Sequence, residues 1–486
     1  LALALLIPAA SYWPALAAAD PATQEQALHL VNRLSFGPRP GDVQRVMQMG
    51  SDAYIAEQLH PDSLTLPPDL QLQLASLDTL RLSPGRLFDN YGPRQLPRGD
   101  KPSPEEIKAQ HERAHEVVQQ AVQANLLRAV ESPRQLQEVM TNFWFNHFNV
   151  FAAKGLDGIW VGAYEEQAIR PYALGHFRDL LMATARHPAM LFYLDNWLNT
   201  APGAPGARGK FEGINENYAR EVMELHTLGV DGGYSQQDVT TLAHVLTGWG
   251  LCPVRGRNAE PGAFCFDPRR HDRGDQMFLG KLLHGGGEDE AQQALDILAA
   301  SPATARHLSY ELAQYFVADE PDPALVVMLA TRWQETHGDI AAVMDSLFHS
   351  PQFAASRGGK FKTPYEYVVS MLRAGGAEVD DAKPLMGMLN QLGMPVYGCL
   401  TPDGYKNTQA AWLNPDAVTL RLGFATAIAA GRVRFRADGD MPVLDAEQLS
   451  TTVPGLLQAD ELKKIHAEPA ELQAALILGS PEFQYR

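Results

Sequence analysis

Cysteine is scarce: Cys252, Cys265 and Cys399 are the only three in 486 residues. That excludes a small scaffold stapled by many disulfides, and a lone C-x12-C with no second pair is a poor zinc pattern. Positive charge is also in deficit, with 40 Lys+Arg against 57 Asp+Glu and a net charge of −17. A general nucleic-acid binder is thereby disfavoured, because that affinity comes from neutralising phosphates. Beyond the first twenty residues no apolar run approaches the ~20 needed to cross a bilayer, so no transmembrane anchor is expected in the mature chain. Alternating β-branched stretches are nearly missing. So are the standard catalytic strings: no HExxH, G-x-S-x-G, P-loop or CxxCH. His226 does not follow Glu221 or Glu224 at the Glu-x-x-His spacing of di-iron helices. Val230–Tyr234 lacks the successive Asp/Asn ligands of a calcium loop and reads as a turn.

What is present begins with an apolar segment, Leu1–Ala10, followed by Ala15-Leu16-Ala17-Ala18-Ala19. An apolar stretch ending in A-x-A is the pattern of an export signal. Residues 1–19 are expected to be its remnant, leaving an exported, periplasmic or extracellular protein. Apolar residues make up 45% of the chain, too many for a disordered one. In an oxidising compartment Cys252 and Cys265 would pair across a Pro/Gly/Arg-rich loop, worth about 3 kcal/mol by loop-closure entropy. Cys399 is left as a free thiol.

Local signals are mostly helical. Ser103-Pro104-Glu105-Glu106, Ser132-Pro133-Arg134-Gln135 and Thr363-Pro364-Tyr365-Glu366 read as capping boxes with proline at the first helical position. Ser235-Gln236-Gln237-Asp238 is a weaker version. Apolar residues follow at three- and four-residue spacing, as in Leu308, Leu312, Tyr315 and Phe316. An all-α fold is expected, over one large helical domain spanning residues 20–486. Long Gly/Pro-rich loops are expected at Leu96–Pro102, Thr200–Lys210, Gly250–Asp275, His284–Glu288 and Gly375–Lys383.

The densest chemistry lies in Asn215–Tyr234, NENYAREVMELHTLGVDGGY. As a helix capped by Asn215 and ended by Gly229, it places Asn217, Arg220, Glu221, Glu224 and Leu228 on one face. Tyr218, Val222, Leu225 and Gly229 make the apolar face. Glu216–Arg220 and Arg220–Glu224 are i,i+4 pairs and need no function beyond a surface ladder. Glu221 has Asn217 and Leu225 at its i±4 positions, so its own helix offers no cation. Three other patches can converge on it. Asp195 and Asn196 end the aromatic run Leu191–Trp197. Asn142–Phe148 sets amides and His147 among aromatics, where the lone His is more simply a core residue. His271-Asp272 lies in a loop.

These motifs, in order, resemble a known family. Asn32–Pro38, the patch with Trp144 and His147, Tyr193–Asn196 and Glu216–Tyr234 come first. Leu246–Trp249, His271-Asp272, Phe278–Gly280, Gly285–Gly287, Lys360–Pro364 and Pro402–Tyr405 follow. The pattern resembles the bacterial exported family catalogued as domain of unknown function 1800, from about Leu28 onward. The resemblance implies a helical fold and a sulfatase-like exported partner, and it brings no reaction. Gln276 stands where many relatives are expected to carry Lys.

Three functions follow as expectations. One is a hydrolase of an envelope or extracellular polymer such as a glycan. There Glu221 and Asp195 are the working carboxylates and Arg220 and Glu224 orient them. Trp144, His147, Asn217, Tyr218 and Trp249 bind substrate. A second is a non-catalytic binding or assembly protein, the polar helix face serving as an internal ion-pair network. The third is a metal site drawn from Glu221, Glu224, His226, His271 and Asp272.

Overall fold

Capping chemistry decides where several helices begin in the computed structural model, which describes residues 22–93, 102–253, 260–436 and 442–486. The Ser103 hydroxyl accepts from the Glu106 N–H while the Glu106 carboxylate accepts from the Ser103 N–H, opening the helix Pro104–Glu131. The same reciprocal pair at Thr363 and Glu366 opens Pro364–Ala374, and at Ser235 and Asp238 it opens Gln236–Val245. Ser132 departs from the expected box. Its hydroxyl accepts from Arg134 N, and the following helix starts only at Gln135. The Gln135 amide donates to the Ala129 and Ser132 carbonyls and accepts from Phe36 N, so it is unavailable as a cap.

The chain is mostly α-helical from Gln24 to Gly479. Strand is limited, among the described residues, to two short hairpins. Trp249–Leu251 pairs with Phe264–Phe266, and Gln276–Phe278 pairs with Lys281–Leu283. The segment expected as the irregular loop Gly250–Asp275 is therefore partly a hairpin, and Cys252 and Cys265 are joined by a disulfide at its edge. Cys399 is free and buried. No described helix is long and apolar enough to cross a membrane. The expected export segment, residues 1–19, lies outside the described residues, as does most of Leu96–Pro102.

Buried apolar side chains from Ala22 to Phe483 form one contiguous core. Within it runs a polar spine. After the helix Asp157–Tyr164 the chain widens into a π-turn, Glu165–Ile169. That turn lets both Glu165 and Glu166 reach Arg170, at 2.7 and 3.2 Å, although they are consecutive. Glu138 also pairs with Arg170, and Arg128 pairs with Glu166. Asn125 and the Tyr397 hydroxyl each donate to Glu165 at 2.9 Å. The internal ion-pair network expected on the Glu221 helix thus exists elsewhere, on the Gln135–His147 helix and its neighbours.

Two asparagines of that helix region fasten a distant loop. The Asn146 amide donates to Tyr405 O at 2.9 Å and accepts from Tyr405 N at 2.7 Å. Asn149 donates to the carbonyls of Cys399 and Thr401. The Pro402–Asn407 segment is thereby laid against the helix that carries His147.

Candidate functional site

The central helix is shorter than the sequence suggests, Asn217–Glu224. Glu216, not Asn215, occupies the N-cap position; Asn215 lies one residue earlier, its side-chain oxygen accepting from Asn217 N at 3.0 Å. Beyond Glu224 the turns widen: both Leu225 and His226 N–H donate to the Glu221 carbonyl, and Leu228 N–H reaches back to Met223. The Thr227 hydroxyl donates to Val222 O at 2.6 Å. These i→i+5 bonds end the helix before Gly229 is reached.

The faces divide as their pattern dictates. Tyr218, Ala219, Val222 and Met223 are buried, while Asn217 is exposed and Arg220, Glu221 and Glu224 are half-buried. Arg220 pairs with Glu216 at 3.0 Å and donates to Gln236. Among the described residues it makes no ion pair with Glu224, and Glu221 has neither an ion pair nor a side-chain hydrogen bond. Among the described residues the Glu224 carboxylate accepts a side-chain hydrogen bond only from the Tyr234 hydroxyl, at a long 3.4 Å.

Glu224 lines a cleft of about 170 Å³ with His147, His307, Glu311, Asp403 and Lys406. Burial pushes the Glu221 carboxyl above its ordinary value, Glu224 and Asp403 add like-charge repulsion, and Arg220 opposes them. Asp403 goes the other way. Burial alone would raise it, but hydrogen bonds from Lys406 and Thr401 and the Lys406 charge bring it below the usual carboxylate range. Glu311 follows the same logic, burial being outweighed by His147, His307 and Lys406. One carboxyl biased toward holding its proton therefore lies close to carboxylates biased toward ionisation.

Several expected site residues lie elsewhere. Asp195 sits in a left-handed backbone conformation, φ 59°, and pairs with Lys154 at 3.2 Å, so it is neither free nor part of the cleft lining. Asn196 donates to the Leu246 and Trp249 carbonyls and is structural. Trp144 and Trp249 are fully buried and Tyr218 is 1% exposed, which corrects their expected role as stacking surfaces. Apolar burial claims their rings, and the Trp144 indole N–H donates to Ala173 O. His271 is sealed against Glu290, with side chains 1% and 0% exposed, while Asp272 pairs with His244 at 2.6 Å. His226 is buried beside His147 and Phe148, and burial, with His147 and His307, holds its pKa well below the ordinary value. Among the described residues no three His, Cys, Asp or Glu side chains are grouped to hold a metal ion.

Three cleft residues had no role in the sequence reading. Asp403 was visible only as part of Pro402–Tyr405. His307 and Glu311 sit at i,i+4 on the helix Pro302–Phe316, whose apolar spacing drew the attention instead.

The family model described as a protein of unknown function, DUF1800, matches residues 29–485. The chain belongs to this family. The match takes in the Asn217–Glu224 helix, the His147 patch and the Pro402–Asn407 segment alike, so the cleft is built wholly from the family region. No curated protein and no solved structure matches the chain.

Proposed function

We propose that this protein is an exported hydrolase acting on an envelope or extracellular glycan, with Glu221, one helical turn before the cleft-lining Glu224, as the proton donor. The observation that carries this reading is the opposed bias of neighbouring carboxyls. Glu221 is half-buried without a cation and shifted toward its protonated form, whereas Asp403 is shifted toward its ionised form. A protonated carboxyl can deliver its proton to a leaving oxygen, and an ionised one can activate water or attack the sugar carbon. Glu224, which lines the cleft, adds like-charge repulsion that biases Glu221 toward its protonated form.

Asp403, itself paired with Lys406 at 2.6 Å, replaces Asp195 as the second carboxylate because it lines the cleft and Asp195 does not. Acidity of the cleft and the net charge of −17 disfavour polyanionic substrates and favour a neutral or amino-bearing glycan. Export is supported by the composition of Leu1–Ala19 and by the Cys252–Cys265 disulfide, a bond suited to an oxidising compartment. All these groups come from one chain, so the chemistry does not require the sulfatase-like partner that the resemblance implies.

The test is release of soluble sugar from purified peptidoglycan and from a neutral polysaccharide panel. Wild-type protein is expected to act on at least one, and Glu221→Gln to lose roughly 10²–10⁴-fold of that rate, the usual weight of a general acid. Full activity in Glu221→Gln would overturn the assignment.

A further inference from the structure

Two imidazoles from different helices hold the end of the Glu221 helix. His147 closes the helix Gln135–His147, and His307 lies on Pro302–Phe316. The two ring Nε2 atoms reach consecutive carbonyls just past Glu224: His307 to Leu225 O at 3.1 Å, and His147 to His226 O at 3.2 Å. Carbonyls at a helix C-terminus lack intrahelical partners, and cationic or N–H donors there are favourable on both hydrogen-bonding and dipole grounds. Glu311 ties the two imidazoles together. Its carboxylate lies 2.7 Å from His147 Nδ1 and 3.6 Å from His307 Nε2.

The His147 geometry constrains its hydrogens. A backbone carbonyl can only accept, so Nε2 must carry a hydrogen. An ionised carboxylate also only accepts, so Nδ1 facing Glu311 must carry one too. With the His147 side chain 4% exposed, water offers no alternative partner. We infer that His147 is a doubly protonated imidazolium, fixed by Glu311, and that together with His307 it acts as a positioning residue setting where Glu224 projects into the cleft and where Glu221 sits one turn before it. The inference rests on the reading of those two glutamates as the working carboxyls, but its test does not require activity.

Other charged groups agree with it. Burial raises Glu311, yet His147, His307 and Lys406 hold it ionised. His226, packed 5.7 Å from the His147 ring centroid, is held neutral by burial and by its two histidine neighbours, so it adds no competing charge. Glu224 and Asp403 line the same cleft and further favour a cation at His147, while Lys406 opposes it. Both His147 N–H groups are engaged, so the ring is not free to shuttle protons itself. Its role is exerted through the helix end.

The experiment uses the full chain carrying ¹⁵N-histidine and ¹³C-carboxyl glutamate. Long-range ¹H–¹⁵N spectra at about pH 7 are expected to show both His147 ring nitrogens protonated, the state His adopts when a carboxylate partner stabilises its cation. In Glu311→Gln, His147 should change to the neutral tautomer with hydrogen on Nε2. The Glu221 and Glu224 carboxyl resonances should move, and the Glu221 titration midpoint should shift. Glu311→Asp, which keeps the charge, should restore both signatures at least partly. His147→Gln keeps an amide donor for His226 O without the charge; it should leave the protein folded while shifting the same two glutamates. A neutral His147 in the wild-type protein would overturn the inference. So would Glu221 and Glu224 spectra unchanged in both Glu311→Gln and His147→Gln.

Discussion

A side-chain carbon on Gly404 would lie 2.2 Å from the backbone carbonyl oxygen of Asn146, and Gly404 adopts φ +64°. Close approach and left-handed backbone both require glycine there. That contact, with the two-way Asn146–Tyr405 bonds, is what brings Asp403 and Lys406 to the cleft wall.

Gly404→Ala is therefore expected to lift the Pro402–Asn407 segment from its helix. Strain alone at such a position costs about 1–3 kcal/mol, and overlap adds to it. Hydrogen exchange at Tyr405 N–H should accelerate strongly, with loss of the proposed hydrolytic rate and little change in exchange on the far helices. Asn146→Ala removes two buried-side hydrogen bonds and should reproduce the effect at about 1–3 kcal/mol in urea unfolding.

Glu221 should behave oppositely to a structural charge. Its folded carboxyl is shifted up, so its contribution to stability is present below the ordinary value of 4.5 and is lost as pH rises past the raised one. Glu221→Gln is thus expected to melt at or above the wild-type Tm at neutral pH, with a flatter profile through the mildly acidic range. A large drop in Tm would mean that the carboxylate holds the fold together.

Arg170 faces three buried or nearly buried carboxylates, Glu138, Glu165 and Glu166. Replacing it by Met leaves Glu138 and Glu165 without a cation, Glu166 keeping Arg128, and the expected loss is about 3–5 kcal/mol in denaturant unfolding. Glu165→Gln should be milder, because Asn125 and Tyr397 can still donate to the retained amide oxygen.

Asp157 is fully buried with neither carboxyl oxygen hydrogen-bonded. Burial drives its carboxyl well above the ordinary value of 3.8, opposed by Lys154 and reinforced by Asp195. The fold therefore favours the neutral form, and stability from this group falls as pH rises. Asp157→Asn is expected to be neutral or stabilising at neutral pH and to remove part of that pH dependence, read as Tm against pH.

Much of this was legible where the physics is local. Capping boxes at Ser103, Thr363 and Ser235 involve residues three apart, and the missing partner of Glu221 could be counted from its i±4 neighbours. Ser132 was misread because a long-range bond from Phe36 N claims the Gln135 side chain. Trp144 and Trp249 are expected from sequence as substrate surfaces, but burial is a property of the assembled core. Glu311 and Asp403 join the site across 87 and 179 residues from Glu224 by subtraction of their numbers. No periodicity connects them. A His and Glu at i,i+4, His307 and Glu311, was the one local signal that could have been raised.

The central claim is that the Glu221 carboxyl is pushed above its ordinary value because burial and neighbouring carboxylates disfavour its charge. Its ¹³C carboxyl titration in the full chain tests this most directly. The midpoint is expected above the ordinary 4.5 and should fall when Asp403→Asn or Glu224→Gln removes a neighbouring charge. A midpoint at or below 4.5, unmoved by either substitution, would contradict the account.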